Sequence, residues 1–255
     1  MSALIRSELL KLRTARSFIV IAGFGVLVCV LIAIATGLLA DYSGDDPHPG
    51  LDLISTASTV LFFTLMLGVL AVTTEYRHGS ISSALIVEPN RVRLLAAKLV
   101  AVTAAGALVG LVTAALCLGI GAATLPGRGY PLGLDGGDVV RLLAGMAAAG
   151  GLTAAIGAGV GALVRKQTAA VVGIIVYLFL VETLITALLL DTALNVKPLE
   201  RYAIGNAMVE ATGTAQVNGL ADPFGQLSGC LILLAWAALL AVVGGAVMRN
   251  SDVTD

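Results

Sequence analysis

The stretch EYRHGSISSALIVEPNRVRLLAAK, residues 75–98, decides how the rest of this chain is arranged. It is a long polar interruption in a very apolar sequence. The hydrophobic runs on its two sides are each long enough to cross a bilayer, for which about 20 apolar residues suffice. The sequence therefore predicts a polar loop at the membrane face, residues 75–90, between two membrane-spanning helices.

Residues 80–88 within this loop predict a short helix of their own. Ser80 can act as its N-cap, and Ile81 and Leu85 lie on one face because they are four positions apart. Pro89 ends this helix, since proline cannot continue a helical hydrogen-bond ladder. Asn90 is then the predicted N-cap of the next helix.

The composition places the whole chain in a membrane. Its 255 residues are 58% hydrophobic and only 12% charged, and the mean hydropathy is +0.99. Soluble domains carry about 25% charged residues. The formal net charge of −1 gives no basic excess of the kind that nucleic-acid binding requires, so we expect no nucleic acid as a partner.

We predict an all-α integral membrane protein, with residues 1–255 forming a single transmembrane domain. The first apolar run is longer than the roughly 7–15-residue core of a signal peptide, so we expect it to be a retained span. Residues 191–223 predict an extracytoplasmic loop that contains short helices. The predicted spans are residues 18–40, 53–74, 91–123, 139–164, 168–190 and 224–248.

Residues 2–17 predict a helix that lies along the membrane surface. Four of its apolar side chains fall within about 140° on a helical wheel, namely Leu4, Ile5, Leu9 and Leu12. Glu8 falls on the same apolar arc. We expect its bases to face anionic lipid, and the alternative is a positively charged flank that only sets topology. These bases are Arg6, Lys11, Arg13 and Arg16.

The distribution of lysine and arginine predicts that both chain ends are cytoplasmic. Six spans put the two ends on one side, and the positive-inside rule selects the side with more bases. With the ends inside, the cytoplasmic segments hold 11 of the 15 bases. The outer segments hold the remaining four, which are Arg128, Arg141, Lys197 and Arg201.

Small and hydroxylated residues predict which spans lie inside the bundle. The second span is rich in serine and threonine, which favours the bundle interior over full lipid exposure. Gly106 and Gly110 form a GxxxG pair in the third span, and the fourth contains GAGVG at residues 157–161. This cluster follows no predicted strand, so it predicts close helix packing rather than a phosphate-binding loop.

The sequence lacks the motifs of an enzyme with its own energy source. It contains no GxxxxGK[ST], no HExxH and no GxSxG pattern. We therefore expect no catalytic residue, no metal site and no cofactor on this chain. Glu182 is the acid of the fifth span, and two interpretations remain open for it. It is either a functional site, or a carboxyl group that is neutralised, or hydrogen-bonded to hydroxyl groups, at a contact between helices.

Residues 75–98 resemble a segment of the permease subunits of bacterial type-2 ABC transporters. Those subunits share E-Y/F-R-x-G-[ST]-I after the second span, followed by a proline, a basic residue and a lysine that begins the third span. The matching residues here are Glu75, Tyr76, Arg77, Gly79, Ser80, Ile81, Pro89, Arg91 and Lys98.

This resemblance implies a permease that acts as a dimer, with a second copy or a close relative, in an ATP-driven exporter of the bacterial cytoplasmic membrane. Residues 2–17 would be its elbow helix, in contact with membrane lipid. Two cytoplasmic ABC ATPase subunits would hold ATP and magnesium. The residues listed above except Lys98, which enters the third span, would couple the chain to these subunits through a coupling helix, together with Leu85. The alternative is an ATPase-independent membrane enzyme, accessory protein or scaffold.

Overall fold

A computed structural model describes residues 1–42, 49–77, 79, 90–185, 202–215, 217 and 225–250, with side chains up to residue 247. Within these ranges the chain consists of helices and short turns, without a strand. The predicted all-α class is therefore confirmed.

The helices follow one another in this order: α1 Ser2–Thr14, α2 Arg16–Leu39, α3 Pro49–Ser55, α4 Val60–Arg77, α5 Arg91–Thr124, α6 Gly136–Val164, α7 Gln167–Val176, α8 Ile204–Thr212 and α9 Gln226–Asn250. A 3-10 turn, Thr56–Thr59, joins α3 to α4, and α7 continues through a π-helical turn, Tyr177–Val181, into Glu182–Leu184.

Six of these helical segments are long and apolar enough to cross a membrane, as predicted. They are Arg16–Leu39, Pro49–Arg77, Arg91–Arg128, Gly136–Val164, Gln167–Leu184 and Gln226–Val247. The described part of the predicted loop 191–223 contains α8, a short helix.

Several helix boundaries differ from the predicted ones by a few residues, and two of them show local causes. The second span begins at Pro49, before the predicted residue 53, and its hydroxyl groups bond back to carbonyl oxygens: Ser55 to Asp52 at 2.6 Å and Thr56 to Leu53 at 2.6 Å. The N-terminal helix α1 ends at Thr14 because Ala15 is extended, with φ −72° and ψ 109°. Arg16, predicted as a base of the elbow helix, is instead the first residue of α2.

The second and fourth spans form the centre of the bundle. In each of these two spans, 56% of the most apolar 18-residue stretch is buried inside the protein, against 17–33% in the other four spans. The hydroxyl groups of Thr64 on α4 and Thr153 on α6 lie 2.7 Å apart in this interior. The prediction that the hydroxyl-rich second span lies inside is confirmed.

Glycine lets these central helices touch backbone to backbone. A Cβ atom on Gly157 of α6 would overlap the carbonyl oxygen of Leu65 on α4, and one on Gly106 of α5 would overlap that of Gly150 on α6. Any larger residue at these positions would force the helices apart. The GxxxG pair and the GAGVG cluster therefore serve helix packing, as predicted.

Candidate functional site

Four charged side chains meet where α1 crosses the end of α4 and the start of α5. The ammonium group of Lys98 lies 2.6 Å from Glu8 Oε2 and 2.8 Å from Glu75 Oε1. The ammonium group of Lys11 lies 2.5 Å from Glu8 Oε1 and 3.2 Å from Glu75 Oε1. We call Glu8, Lys11, Glu75 and Lys98 the charge cluster.

The charge cluster is largely withdrawn from solvent. Glu8 is 2% exposed and Lys98 6% exposed, whereas the Lys11 side chain is 49% exposed. Buried charges are tolerated only when they are paired and hydrogen-bonded, and here the buried Glu8 and the partly buried Glu75 each contact both lysines. The cluster therefore fixes α1 to both of the helices that flank residues 78–89.

The two α1 members of the cluster have shifted pKa values. Burial would raise the pKa of Glu8, but the charge of Lys98 and the hydrogen bonds from both lysines outweigh it, so the pKa lies below its ordinary value. Burial would lower the pKa of Lys11, but its bonds and charge interactions with Glu8 and Glu75 hold that pKa above its ordinary value. Both groups are charged at neutral pH.

Other residues of the 75–98 stretch attach the end of α4 to neighbouring helices. Arg77 donates to the side-chain oxygen of Gln167 at 3.1 Å, where α7 begins. The Tyr76 ring lies 5.9 Å from the guanidinium carbon of Arg165, which in turn donates to the Val247 carbonyl at 2.7 Å on α9. The end of α4 is thus connected to α6, α7 and α9.

The residues that bound the loop have the backbone geometry their types favour. Gly79 has φ +66°, the left-handed conformation that glycine adopts without a steric penalty just after a helix. The side chain of Asn90 accepts a hydrogen bond from the Arg93 backbone at 3.1 Å, so the predicted N-cap is confirmed. Arg91 is the first residue of α5.

The predicted coupling helix itself, residues 80–88, lies outside the described residues. Ser80, Ile81, Leu85 and Pro89 belong to this part of the chain. Their predicted contacts with an ATPase stay a prediction.

Glu182 lies at a contact between α7 and α8. It is 7% exposed, and its Oε1 atom accepts a hydrogen bond from the Gly205 backbone at 2.6 Å. The Asn206 backbone also bonds to this carboxyl group. Gly205 and Asn206 are in the first turn of α8, whose N–H groups have no partner within the helix. The carboxyl group is thus hydrogen-bonded to backbone N–H groups at a contact between helices, whereas the structural interpretation named hydroxyl groups as its partners. The functional interpretation stays a prediction.

Glu8 and Arg128 have structural roles that were not predicted from the sequence. The sequence pattern treats Glu8 only as an exception to the apolar face of α1. Its position on that face, together with Lys98 at the start of a span, is a signal that two buried charges could pair. Arg128 counted only as an outer base, yet it donates to the carbonyl groups of Gly37 at 3.1 Å and Ala40 at 2.7 Å. It thereby satisfies the C-terminal end of α2.

Six membrane-length helices and a charge cluster at their basic end define a multi-pass membrane protein. A family model described as "ABC-2 family transporter protein" matches residues 4–184, which is more than half of the chain and includes the whole charge cluster. The chain belongs to this family and has a permease role in ABC transport. Such permeases associate in general with ABC ATPases. No curated protein matches the sequence in a direct search.

Proposed function

We propose that this chain is the permease subunit of an ATP-driven exporter, in which two copies of the chain, or this chain and a close relative, form the translocation path. Two separate ABC ATPase subunits would bind ATP and magnesium and contact the 75–98 stretch. The observation that carries this proposal is the position of Lys98, whose ammonium group contacts Glu8 on α1 and Glu75 on α4.

The charge cluster offers a physical route by which force on the loop reaches the membrane. The loop is attached to α4 on one side and α5 on the other. Lys98 and Glu75 are 23 residues apart in the sequence, and their contact joins these two helices. Glu8 adds α1 to the same cluster. A displacement of the loop by ATPase closure would therefore move three helices together rather than bend one of them.

The second link runs across the bundle. The contacts of Arg77 with Gln167 and of Tyr76 with Arg165 reach the ends of α6 and α7. Because α4 and α6 are the most buried spans, motion that enters at the end of α4 would reach the packed centre of the protein. The spans that would line the translocation path carry mostly apolar side chains, which favours an amphiphilic or hydrophobic cargo.

The proposed orientation in the bacterial cytoplasmic membrane places this end of the bundle in the cytoplasm. The 11-to-4 division of the bases supports it. Helix α1 would then be the elbow helix on the inner surface, with Arg6 and Arg13 exposed to lipid headgroups.

The proposal is tested by purifying the tagged full-length chain from its native membranes and identifying what co-purifies. We expect a soluble ATPase that carries GxxxxGK[ST]. The double substitution Ile81→Asp with Leu85→Asp should release it, because buried apolar anchors dominate interface energies.

The control places the same charges on the other side of the predicted helix, in Ser83→Asp with Val87→Asp. This variant should retain the ATPase, since the two positions lie about 200° from Ile81 and Leu85 on a helical wheel. If no ATPase co-purifies with the wild-type chain, or if both double variants retain it equally, the proposed coupling helix is wrong.

A further inference from the structure

A cavity of about 540 Å³ lies beneath α1, between this helix, the start of α2, the last turns of α4 and the start of α5. Its volume is within the ~300–1,000 Å³ typical of ligand pockets. Residues at helical spacing on α1, from Leu4 through Glu8 and Lys11 to Leu12, form one wall. We call this cavity the elbow pocket.

The elbow pocket has two chemically distinct parts. Leu12, Phe18, Leu70 and Leu94 contribute apolar surface, and the charge cluster contributes the polar surface. A ligand that fits both parts must carry an apolar chain and a polar head. The pocket is therefore suited to an amphiphile rather than to a small ion or a pure hydrocarbon.

The charge at the rim of the pocket selects the head group. Lys98 is buried between two carboxylates, whereas about half of the Lys11 side chain is exposed. An ammonium group has three donors, and Lys11 uses two of them on Glu8 and Glu75. The third donor can bind an anionic oxygen, so the accessible charge in the pocket is positive.

The depth of the pocket indicates where that anion would come from. The pocket lies at the end of the bundle where α2 begins with Arg16 and α4 ends with Arg77. Lysine and arginine at the ends of spans lie at the level of the lipid headgroups. Phosphate is the anion that every phospholipid presents at this depth.

We propose that the elbow pocket binds one phospholipid molecule, with its phosphate on the Lys11 ammonium group and one acyl chain against Phe18, Leu70 and Leu94. The bound lipid would fill the space between α1 and α4, next to the charge cluster that joins these two helices. This inference goes beyond transport coupling and does not depend on an ATPase partner.

The test is native mass spectrometry of the full-length chain after exchange into a mild detergent. Palmitoyl-oleoyl phosphatidylglycerol is titrated as the probe, and we expect one molecule to be retained per chain. Palmitoyl-oleoyl glycerol, which lacks the phosphate, should bind at least about tenfold more weakly, since it cannot accept a charge-assisted hydrogen bond from Lys11. Inorganic phosphate, which lacks the chain, should not displace the lipid.

Matched variants locate the site. Lys11→Met should weaken phosphatidylglycerol binding at least about tenfold, by the same removal of a charged donor. Arg13→Met removes an exposed base from the same helix and should leave binding unchanged. Ala71→Trp and Ser7→Trp would fill the pocket from α4 and from α1, and each should abolish retention in protein that remains monodisperse.

Three results would overturn the proposal. These are equal loss of binding in Lys11→Met and Arg13→Met, retention of the lipid by whichever tryptophan variant folds, and equal binding of lipid with and without its phosphate. Since the measurement contains no ATPase, its outcome is separate from that of the coupling test.

Discussion

The ammonium nitrogen of Lys98 lies 2.6 Å from Oε2 of Glu8, although 90 residues separate them in the sequence. Both side chains are almost fully buried. This contact attaches the N-terminal helix α1 to the start of α5, and the shared contact with Glu75 extends the attachment to α4. Three helices are thereby held by one lysine.

Removal of the lysine charge should destabilise the protein strongly. Lys98→Met would leave the buried Glu8 and the partly buried Glu75 with a single half-exposed lysine between them. Loss of one partner from a buried ion pair typically costs about 3–5 kcal/mol, so we expect a clear fall in thermal stability in detergent, followed by fluorescence-detected size exclusion. Arg13→Met is the control for loss of an exposed base, and equal melting temperatures for the two variants would contradict the buried cluster.

The stability of the cluster should also fall in acid. The pKa of Glu8 in the folded protein lies below its ordinary value of 4.5, so the folded state binds this proton less readily than the unfolded state. The stabilisation is then fully present above pH 4.5 and is lost as the pH falls through the lowered pKa. Melting temperatures measured from pH 7 to pH 3.5 should fall less steeply in Glu8→Gln than in the wild type, and parallel curves would argue against this role of Glu8.

For assembly of the protein, an amide should be able to replace the carboxyl group of Glu182, whereas a hydrocarbon should not. Glutamine keeps an oxygen that can accept from the Gly205 backbone, whereas leucine leaves that N–H without this acceptor. We expect Glu182→Gln to preserve assembly but alter transport, and Glu182→Leu to harm both, with a loss of stability of about 1–3 kcal/mol. Complex yield and transport in vesicles measure the two effects. Unchanged values for Glu182→Leu would remove any functional role for this acid.

Labelling of single cysteines should establish the orientation. In a background without the three native cysteines, Ser7→Cys should be protected from a membrane-impermeant thiol reagent in intact cells. Gly127→Cys should react, because Gly127 is exposed at the opposite end of the bundle and a Cβ atom there meets no neighbour within 4 Å. This expected pattern of labelling follows from the positive-inside rule. The reverse pattern of labelling would place the charge cluster outside the cell.

Much of the fold could be predicted because its signals are local. Runs of apolar residues identify spans, glycine spacing identifies close helix contacts, and Asn90 carries the chemistry of an N-cap. The start of the second span was predicted less accurately. Ser55 and Thr56 bond to nearby carbonyl groups where a short extra helix and a 3-10 turn precede α4.

The candidate site was harder to predict because its contacts are not local. Glu8 and Lys98 were both visible as unusual charges, but nothing in a single sequence pairs two residues so far apart. The partner of Glu182 is a backbone N–H group of Gly205, which no residue type in the sequence announces. Such contacts become visible only when α1 is placed on α5, and α7 beside α8.

The most direct test of coupling is the ATP turnover of the partner ATPase with and without this permease in lipid nanodiscs. The account predicts that the wild-type chain stimulates turnover above that of the ATPase alone. The Ile81→Asp with Leu85→Asp variant, still inserted and dimeric, should give no stimulation, whereas Ser83→Asp with Val87→Asp should stimulate like the wild type. Full stimulation by the first variant would contradict the claim that this chain uses ATP through the 75–98 stretch.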